Sequence, residues 1–251
     1  MYENEIIKKA EELSIKHIGF CRHGGKSAVC CLFPYFKEGE KSRISVYARS
    51  EDYHLILREK LKELMADFDK NALIFADTGP VGEDILIAQK CGLGVRGRNT
   101  LLINEEIGSW FFIGYALTDL DLAPSRPKEG SCLACGLCEK SCPGGALQGG
   151  RIDLNRCASY LTQKKGALTP GEEEIIKKSG FIFGCDICQS VCPMNKGKGE
   201  CMEEFLVNRI LSLDESELTK MSGREFLRQY NKRAFSWRGK APLLRNMKLF
   251  D

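Results

Sequence analysis

Two cysteine blocks constrain this chain more than any other feature. The first reads Cys132-x2-Cys135-x2-Cys138-x3-Cys142-Pro143, the second Cys185-x2-Cys188-x3-Cys192-Pro193, and Cys157 lies between them. A C-x2-C-x2-C-x3-C-P run is the ligand pattern of a bacterial two-cluster ferredoxin, in which the last cysteine serves the other cluster. Short loops let three successive thiolates converge, and each proline turns the chain away afterwards. Crossing the fourth ligands gives one [4Fe–4S] set as Cys132, Cys135, Cys138 and Cys192. The other is Cys142, Cys185, Cys188 and, by elimination, Cys157, because no thiol lies three residues before Cys185. The fold must therefore bring blocks some 50 residues apart into one interleaved unit.

Paired C-x2-C units also build all-thiolate zinc sites. Two consecutive C-x2-C steps and the repeated C-P ending favour the clusters over zinc. Disulfides are disfavoured. The sequence shows no signal peptide and no apolar run long enough to span a membrane, so a reducing cytoplasm is expected. Of the five remaining cysteines, Cys30 and Cys31 sit in an apolar run, Ala28-Val29-Cys30-Cys31-Leu32-Phe33, as small buried side chains. The others are Cys21, Cys91 and Cys201.

With 251 residues, 43% of them hydrophobic, the chain can build one large domain or two small ones. A net charge of +3 selects no partner by itself. Its distribution is uneven: Lys220, Arg224, Arg228, Lys232, Arg233, Arg238, Lys240, Arg245 and Lys248 face only Glu225 and Asp251 after Lys220. That stretch reads equally as an RNA-facing surface or as a solvated helical face. Trp237, Tyr230, Phe226 and Phe235 lie within it. The i, i+4 spacing of Phe226 and Tyr230 places those two in a helix core.

Hydrophobic periodicity predicts helices over residues 3–13, 53–68 and 85–91, and strands over 17–21, 28–33 and 72–76. Strands over 100–103 and 110–117 are expected to flank a hairpin at 104–109. Residues 124–127 read as a linker. The expected organisation is an α+β chain: an N-terminal α/β domain (1–123), a two-cluster ferredoxin-like domain (124–199) and a short basic helical tail (200–251). Gly92-x-Gly94-x-x-Gly97 has the letters of a dinucleotide fingerprint, but it follows a helix rather than a strand. Asp52-x-His54 begins like a cobalamin base-off motif, yet Leu57 stands where glycine is needed, so His54 is read as a surface or packing histidine at a helix start.

Several segments resemble the epoxyqueuosine reductase family. They are Tyr47-Ala48-x3-Asp52-Tyr53-His54, Asp77-Thr78-x-Pro80, Gly92-Leu93-Gly94-x-x-Gly97-x-Asn99-Thr100-Leu101-Leu102-Ile103, Gly108-Ser109-Trp110-Phe111-Phe112 and Leu117-Thr118-Asp119. Arg156-Cys157-x-Ser159-Tyr160-Leu161-Thr162 and Phe183-Gly184-Cys185-Asp186 continue the match, which covers roughly residues 28–195. The resemblance implies a cytoplasmic oxidoreductase using cobalamin and two [4Fe–4S] clusters to reduce epoxyqueuosine to queuosine in tRNA. Its corrinoid domain would be reductive-dehalogenase-like, supplied by an external electron donor, in a monomer without membrane attachment. The resemblance places the general acid on Asp77; read from the residues alone, Asp77 is a turn residue before Gly79-Pro80. It also implies Asn99, Leu101, Ser109, Phe112, Tyr115, Ser159 and Asp186 as corrinoid contacts.

The chain departs from the family pattern in three places. Glu83-Asp84 replaces Glu-Arg, the stretch between Cys21 and Ser27 is short, and the sequence stops soon after Leu243-Leu244-Arg245-Asn246, before the family's tRNA-holding helical repeats. Two further functions stay open: a corrinoid and iron–sulfur reductase of another substrate, and a ferredoxin-like electron carrier without substrate chemistry. A corrinoid pocket separates the reductases from the carrier.

Overall fold

The computed structural model describes residues 2–80 and 82–250; Asp251, one of the two acids counted in the basic tail, lies outside them. The chain opens with α1 (Tyr2–Glu12), then β1 (His17–His23) and β2 (Lys26–Pro34). Gly24 and Gly25 join these strands at φ of 57° and 81°, the left-handed pair that a tight two-residue hairpin requires. Next come α2 (Tyr53–Met65), β3 (Leu73–Ala76), α3 (Glu83–Lys90), β4 (Val95–Arg96), β5 (Leu102–Ile103) and β6 (Phe111–Thr118). The main sheet has the order β1-β2-β6-β3, with every neighbouring pair antiparallel.

Strand β2 is buried on both faces, which is why it reads as an unbroken apolar run rather than an alternating one. Val29, Cys31 and Phe33 point into one core with Leu57, Leu61 and Leu64 of α2 and Ile6 and Ala10 of α1. Ala28, Cys30 and Leu32 point into a second core with Ile87 and Ala88 of α3. Cys30 and Cys31 are fully buried, one on each face.

One expected pairing is different in the structure. The 104–109 turn forms, closed by an Asn104–Gly108 bridge, but the strands on either side part company. β5 pairs with β4, through Val95–Ile103 and Arg96–Leu102, while β6 enters the main sheet. The glycines of the dinucleotide-like motif serve this packing. A Cβ on Gly94 would lie 2.4 Å from the Ile103 carbonyl oxygen, and one on Gly97 would lie 2.5 Å from Asn99 Oδ1. Residues 124–127 are no free tether either: Ser125 N donates to Phe20 O and Ser125 Oγ accepts from Phe20 N, both at 2.9 Å.

The cysteine-rich half contains α4 (Leu137–Lys140), the hairpin β7 (Leu147–Gln148) and β8 (Arg151–Ile152), α5 (Ala158–Gln163), α6 (Pro170–Ser179) and α7 (Ile187–Ser190). Its attachment to the sheet half is dense. Ile44 bridges Phe183 in parallel, Ser45 N donates to Phe183 O, and Ile182 N donates to Arg43 O. Gly184, at φ 71°, passes so close that a Cβ would meet that of Ser45 at 2.4 Å. The C-terminal helices α8 (Glu215–Lys220), α9 (Gly223–Tyr230) and α10 (Lys240–Met247) have no core of their own. Phe226, Tyr230, Phe235 and Leu243 join the same core as α1, α2 and the sheet.

The basic tail divides between its two readings. Lys220, Arg224, Arg228, Lys232 and Lys248 are exposed. Lys240 and Arg245 instead reach backbone carbonyls: Lys240 Nζ those of Leu218 and Met221, Arg245 those of Leu161, Lys164 and Gly166. Asn246, wholly buried, donates to Thr162 O at 2.7 Å and Ile182 O at 2.8 Å. Helix α10 thus caps the C-terminal end of α5, where a cation also suits the helix dipole. Among the described residues no helix is long and apolar enough to cross a membrane.

Asn246→Leu leaves two buried carbonyls without donors. It is expected to cost about 1–3 kcal/mol, read as a fall of about 2–4 °C in Tm per kcal/mol for a chain of this size. An unchanged melting curve would contradict this account of how α10 docks.

Candidate functional site

The seven block cysteines and Cys157 gather around two separate cavities. Cys132, Cys135, Cys138 and Cys192 line a narrow one of about 20 Å³, together with Arg98 and Asn99. Cys142, Cys157, Cys185 and Cys188 are among the residues that line a larger cavity of about 430 Å³. These are the two sets that crossing the fourth ligands predicts. Burial raises Cys157 and Cys188, and pushes Cys185 up to about 12. Backbone N–H groups partly offset this. Those of Ser159 and Tyr160 act on Cys157, the residue that precedes α5, and that of Ile187 acts on Cys185. Donors of this kind are one lever on a cluster's potential.

The larger cavity is also lined by aromatic and apolar side chains, among them Tyr35, Tyr47, Tyr53, Leu101, Phe111 and Phe112. Tyr53 and Phe112 stack at 4.1 Å with an interplanar angle of 6°. Asn99 is 3% exposed and its Nδ2 has no hydrogen-bond partner. A buried amide without a partner is costly, and one beside a cavity marks a place for a ligand acceptor. The tight 97–101 loop fixes it there: Gly97 N donates to Leu101 O, Asn99 Oδ1 accepts from Leu101 N, and Thr100 takes φ 68°.

Tyr53, Leu101, Phe111 and Phe112 also line an adjoining cavity of about 150 Å³ that holds Asp77 and Asp84. Asp77 follows β3 at φ 53°, an uncommon conformation that an Asp tolerates better than most residues. Its Oδ2 accepts from Tyr53 Oη at 2.6 Å and lies 3.9 Å from His54 Nε2. Burial, then the charge of Asp77, pushes the Tyr53 phenol well above its usual range, so it stays a donor. His54 is held from its other side by Asp52, at 2.7 Å from Nδ1. Tyr53 and His54 thus meet Asp77 in the structure, although from the sequence Tyr53 has no assigned role and His54 reads as a surface or packing histidine. They stand more than 20 residues from Asp77 in the chain, and their one signal was membership of the Asp52-Tyr53-His54 segment.

The other expected contacts separate into two groups. Asn99, Leu101, Phe112 and Ser159 line the larger cavity, and Ser109 lines the smaller one while its Oγ bonds to Gln189 and Asn195. Tyr115 and Asp186 line neither. Tyr115 stacks on Phe75 at 4.8 Å and donates to Glu83 at 2.8 Å. Asp186 is 3% exposed and accepts from Ser45 Oγ and Val46 N. In the structure both polar groups already have interior partners.

Two family models match the chain: "4Fe-4S double cluster binding domain" over residues 131–195 and "Epoxyqueuosine reductase QueG, DUF1730" over residues 18–78. An epoxyqueuosine reductase of Lactococcus garvieae is 41% identical over 205 residues, 78% of this chain and 58% of its own length. One of Leadbetterella byssophila is 38% identical over 208 residues, 78% of this chain and 68% of its own. The chain therefore spans 58% of the length of the first relative. The solved epoxyqueuosine reductase of Streptococcus thermophilus superposes with a TM-score of 0.81 at 26% identity, covering 98% of this chain and 80% of that one. An epoxyqueuosine reductase crystallised with an epoxyqueuosine-modified tRNA-Tyr stem loop gives 0.84 at 27%, covering 99% and 80%. A catabolic reductive dehalogenase shares the fold, with a TM-score of 0.53 at 17% identity over 98% of this chain and 36% of that one.

Asp84 supplies a prediction of its own. Burial first, and the nearby charges of Asp77 and Glu83, raise its carboxyl above the ordinary aspartate range. In acid the group is neutral in folded and unfolded chains alike. As pH rises the unfolded chain releases this proton first, and stability is lost until the folded group also ionises. Asp84→Asn is expected to raise Tm near neutral pH by about 2–4 °C, the gain vanishing below about pH 4. A variant no more stable than the parent at neutral pH would contradict it.

Proposed function

The chain belongs to the epoxyqueuosine reductase family, and from that membership we propose that it is a cytoplasmic reductase of epoxyqueuosine in tRNA. It would use two [4Fe–4S] clusters and cobalamin and take its electrons from an external donor. One observation carries the reading: the cavity walled by Cys142, Cys157, Cys185 and Cys188 shares Tyr53, Leu101, Phe111 and Phe112 with the cavity that holds Asp77. Thiolates, a broad apolar slot and an acid therefore stand in series.

The residues fit the groups this reading needs. Four thiols around each cavity supply the donor set of a cubane. The narrow cavity, with the exposed Cys135 on its rim, is the natural point of electron entry. Between the second thiol set and Asp77, the aromatic walls of Tyr53 and Phe112 suit a flat macrocycle, and the unpartnered Asn99 amide offers it a donor. Bound there, cobalamin would supply the low-potential, nucleophilic chemistry that side chains lack.

The chain's own residues do the rest. The substrate epoxide would lie in the smaller cavity, with Asp77 within reach of the oxygen that leaves carbon. The reduction takes two electrons from the donor and two protons and releases the oxygen as water; Asp77 would hand that oxygen a proton, contributing the rate gain typical of a placed acid. Tyr53 would orient the carboxyl through its 2.6 Å hydrogen bond, and the Asp52-bound His54 would stand by to restore the proton. Phe111, Phe112 and Leu101 would exclude water from the reaction space. On this reading residues 1–123 carry the corrinoid and substrate, and residues 124–199 the clusters.

Asp77→Asn is expected to lower kcat on an epoxyqueuosine-containing stem loop by about 10²–10⁴-fold with full iron content; turnover like the parent's would remove Asp77 from the acid role. Cys157→Ala should lose about half the iron, by analogy with two independent cubanes. Full iron content would exclude Cys157 as a ligand.

A further inference from the structure

Trp237 is 58% exposed, with one face of a large, rigid ring open to solvent. It is nevertheless held in place. Its Nε1–H donates to Gln163 Oε1 at 2.9 Å, and the Arg238 guanidinium lies over the ring, 3.6 Å from its centroid. Gln163 is itself fixed. Its Nε2 donates to Ser159 O at 2.9 Å and reaches Tyr47 Oη at 3.4 Å. Gln163, Ser159 and Tyr47 all line the 430 Å³ cavity, as does Tyr160, one turn from Gln163 on α5 and 47% exposed. An ordered, outward-facing indole therefore stands at the rim of the proposed active cavity.

We propose that Trp237, backed by Arg238, is a stacking platform for an unpaired RNA base next to the nucleotide that enters the cavity. This rests on the tRNA-substrate reading above. Sequence-specific RNA recognition depends on unstacked bases laid on aromatic side chains and guanidinium planes, and every base offers a π-face to such a platform. Charge fits the partner: the Arg238 guanidinium lies over the ring, and Lys165, two residues beyond the end of α5, is exposed. A ring positioned before binding loses little conformational freedom when the base arrives. The buried neighbours Phe226, Tyr230 and Phe235 are core residues and take no part.

The chain has two tryptophans, and the other, Trp110, is 3% exposed and stacked on Phe36, so the emission that Trp237→Phe removes is that of Trp237. The test titrates the cluster-loaded protein with a tRNA-Tyr stem loop, following tryptophan fluorescence and, independently, anisotropy of a labelled RNA. The stem loop is expected to quench the fraction of emission that Trp237→Phe removes. Trp237→Ala should weaken binding by about five- to a hundred-fold and raise KM with kcat nearly unchanged. Trp237→Phe, which keeps a stacking face but loses the N–H, should stay within a few-fold of the parent. RNA binding with no quenching, or Ala binding as tightly as the parent, overturns the platform and leaves the substrate reading standing. Equal loss in Phe and Ala overturns it too, because the indole would then act only through Gln163. No RNA binding by the parent overturns both.

Discussion

The buried carboxylate of Asp186 holds the two halves of the molecule in register. It sits one residue after Cys185 and two before Cys188, and it accepts hydrogen bonds from Ser45 and Val46 beneath the main sheet. A carboxylate 3% exposed is tolerated only with such partners, and burial raises its proton affinity even so, with Arg49 among the groups that offset the rise. The same seam is closed by Ser109, Gln189 and Asn195 and by the close passage of Gly184 over Ser45. If that seam opened, the thiols and the aromatic side chains that together line the larger cavity would separate.

The positions that matter chemically depend on this closure. Tyr35, Tyr47 and Tyr53 come from the sheet half, and Cys142, Cys157, Cys185 and Cys188 from the cysteine-rich half. Neither half encloses the cavity alone. Helix α5 ties them to the C-terminal helices: it begins at Cys157 and ends where Arg245 and Asn246 take its last carbonyls. The C-terminal stretch is thereby part of the support for the proposed second cluster, besides presenting Trp237 at the cavity rim.

Much of this was legible in the sequence because it is local. Cysteine spacing gives the two thiol sets, since a ligand loop is defined within a few residues. Helices α1, α2 and α3 show their buried faces as periodicity, and β2 shows its double burial as a continuous apolar run. The failures are of contacts distant in sequence or elements too short to carry a pattern. The β4–β5 pair is two residues long on each side, so the 104–109 turn suggested the wrong partner. Tyr53 and His54 meet Asp77 only because α2 packs against β3. Tyr115 and Asp186 carry letters that suit a ligand, but the fold gives them interior partners in Glu83, Ser45 and Val46.

The central claim is that the larger cavity seats a corrinoid between the second thiol set and Asp77. The most direct measurement adds cob(II)alamin to the anaerobically reconstituted protein and follows the cobalt absorption and electron paramagnetic resonance spectra. The account predicts stoichiometric binding with an altered cobalt signal. An unperturbed cobalt spectrum beside a full complement of iron would contradict it and leave an electron carrier in its place.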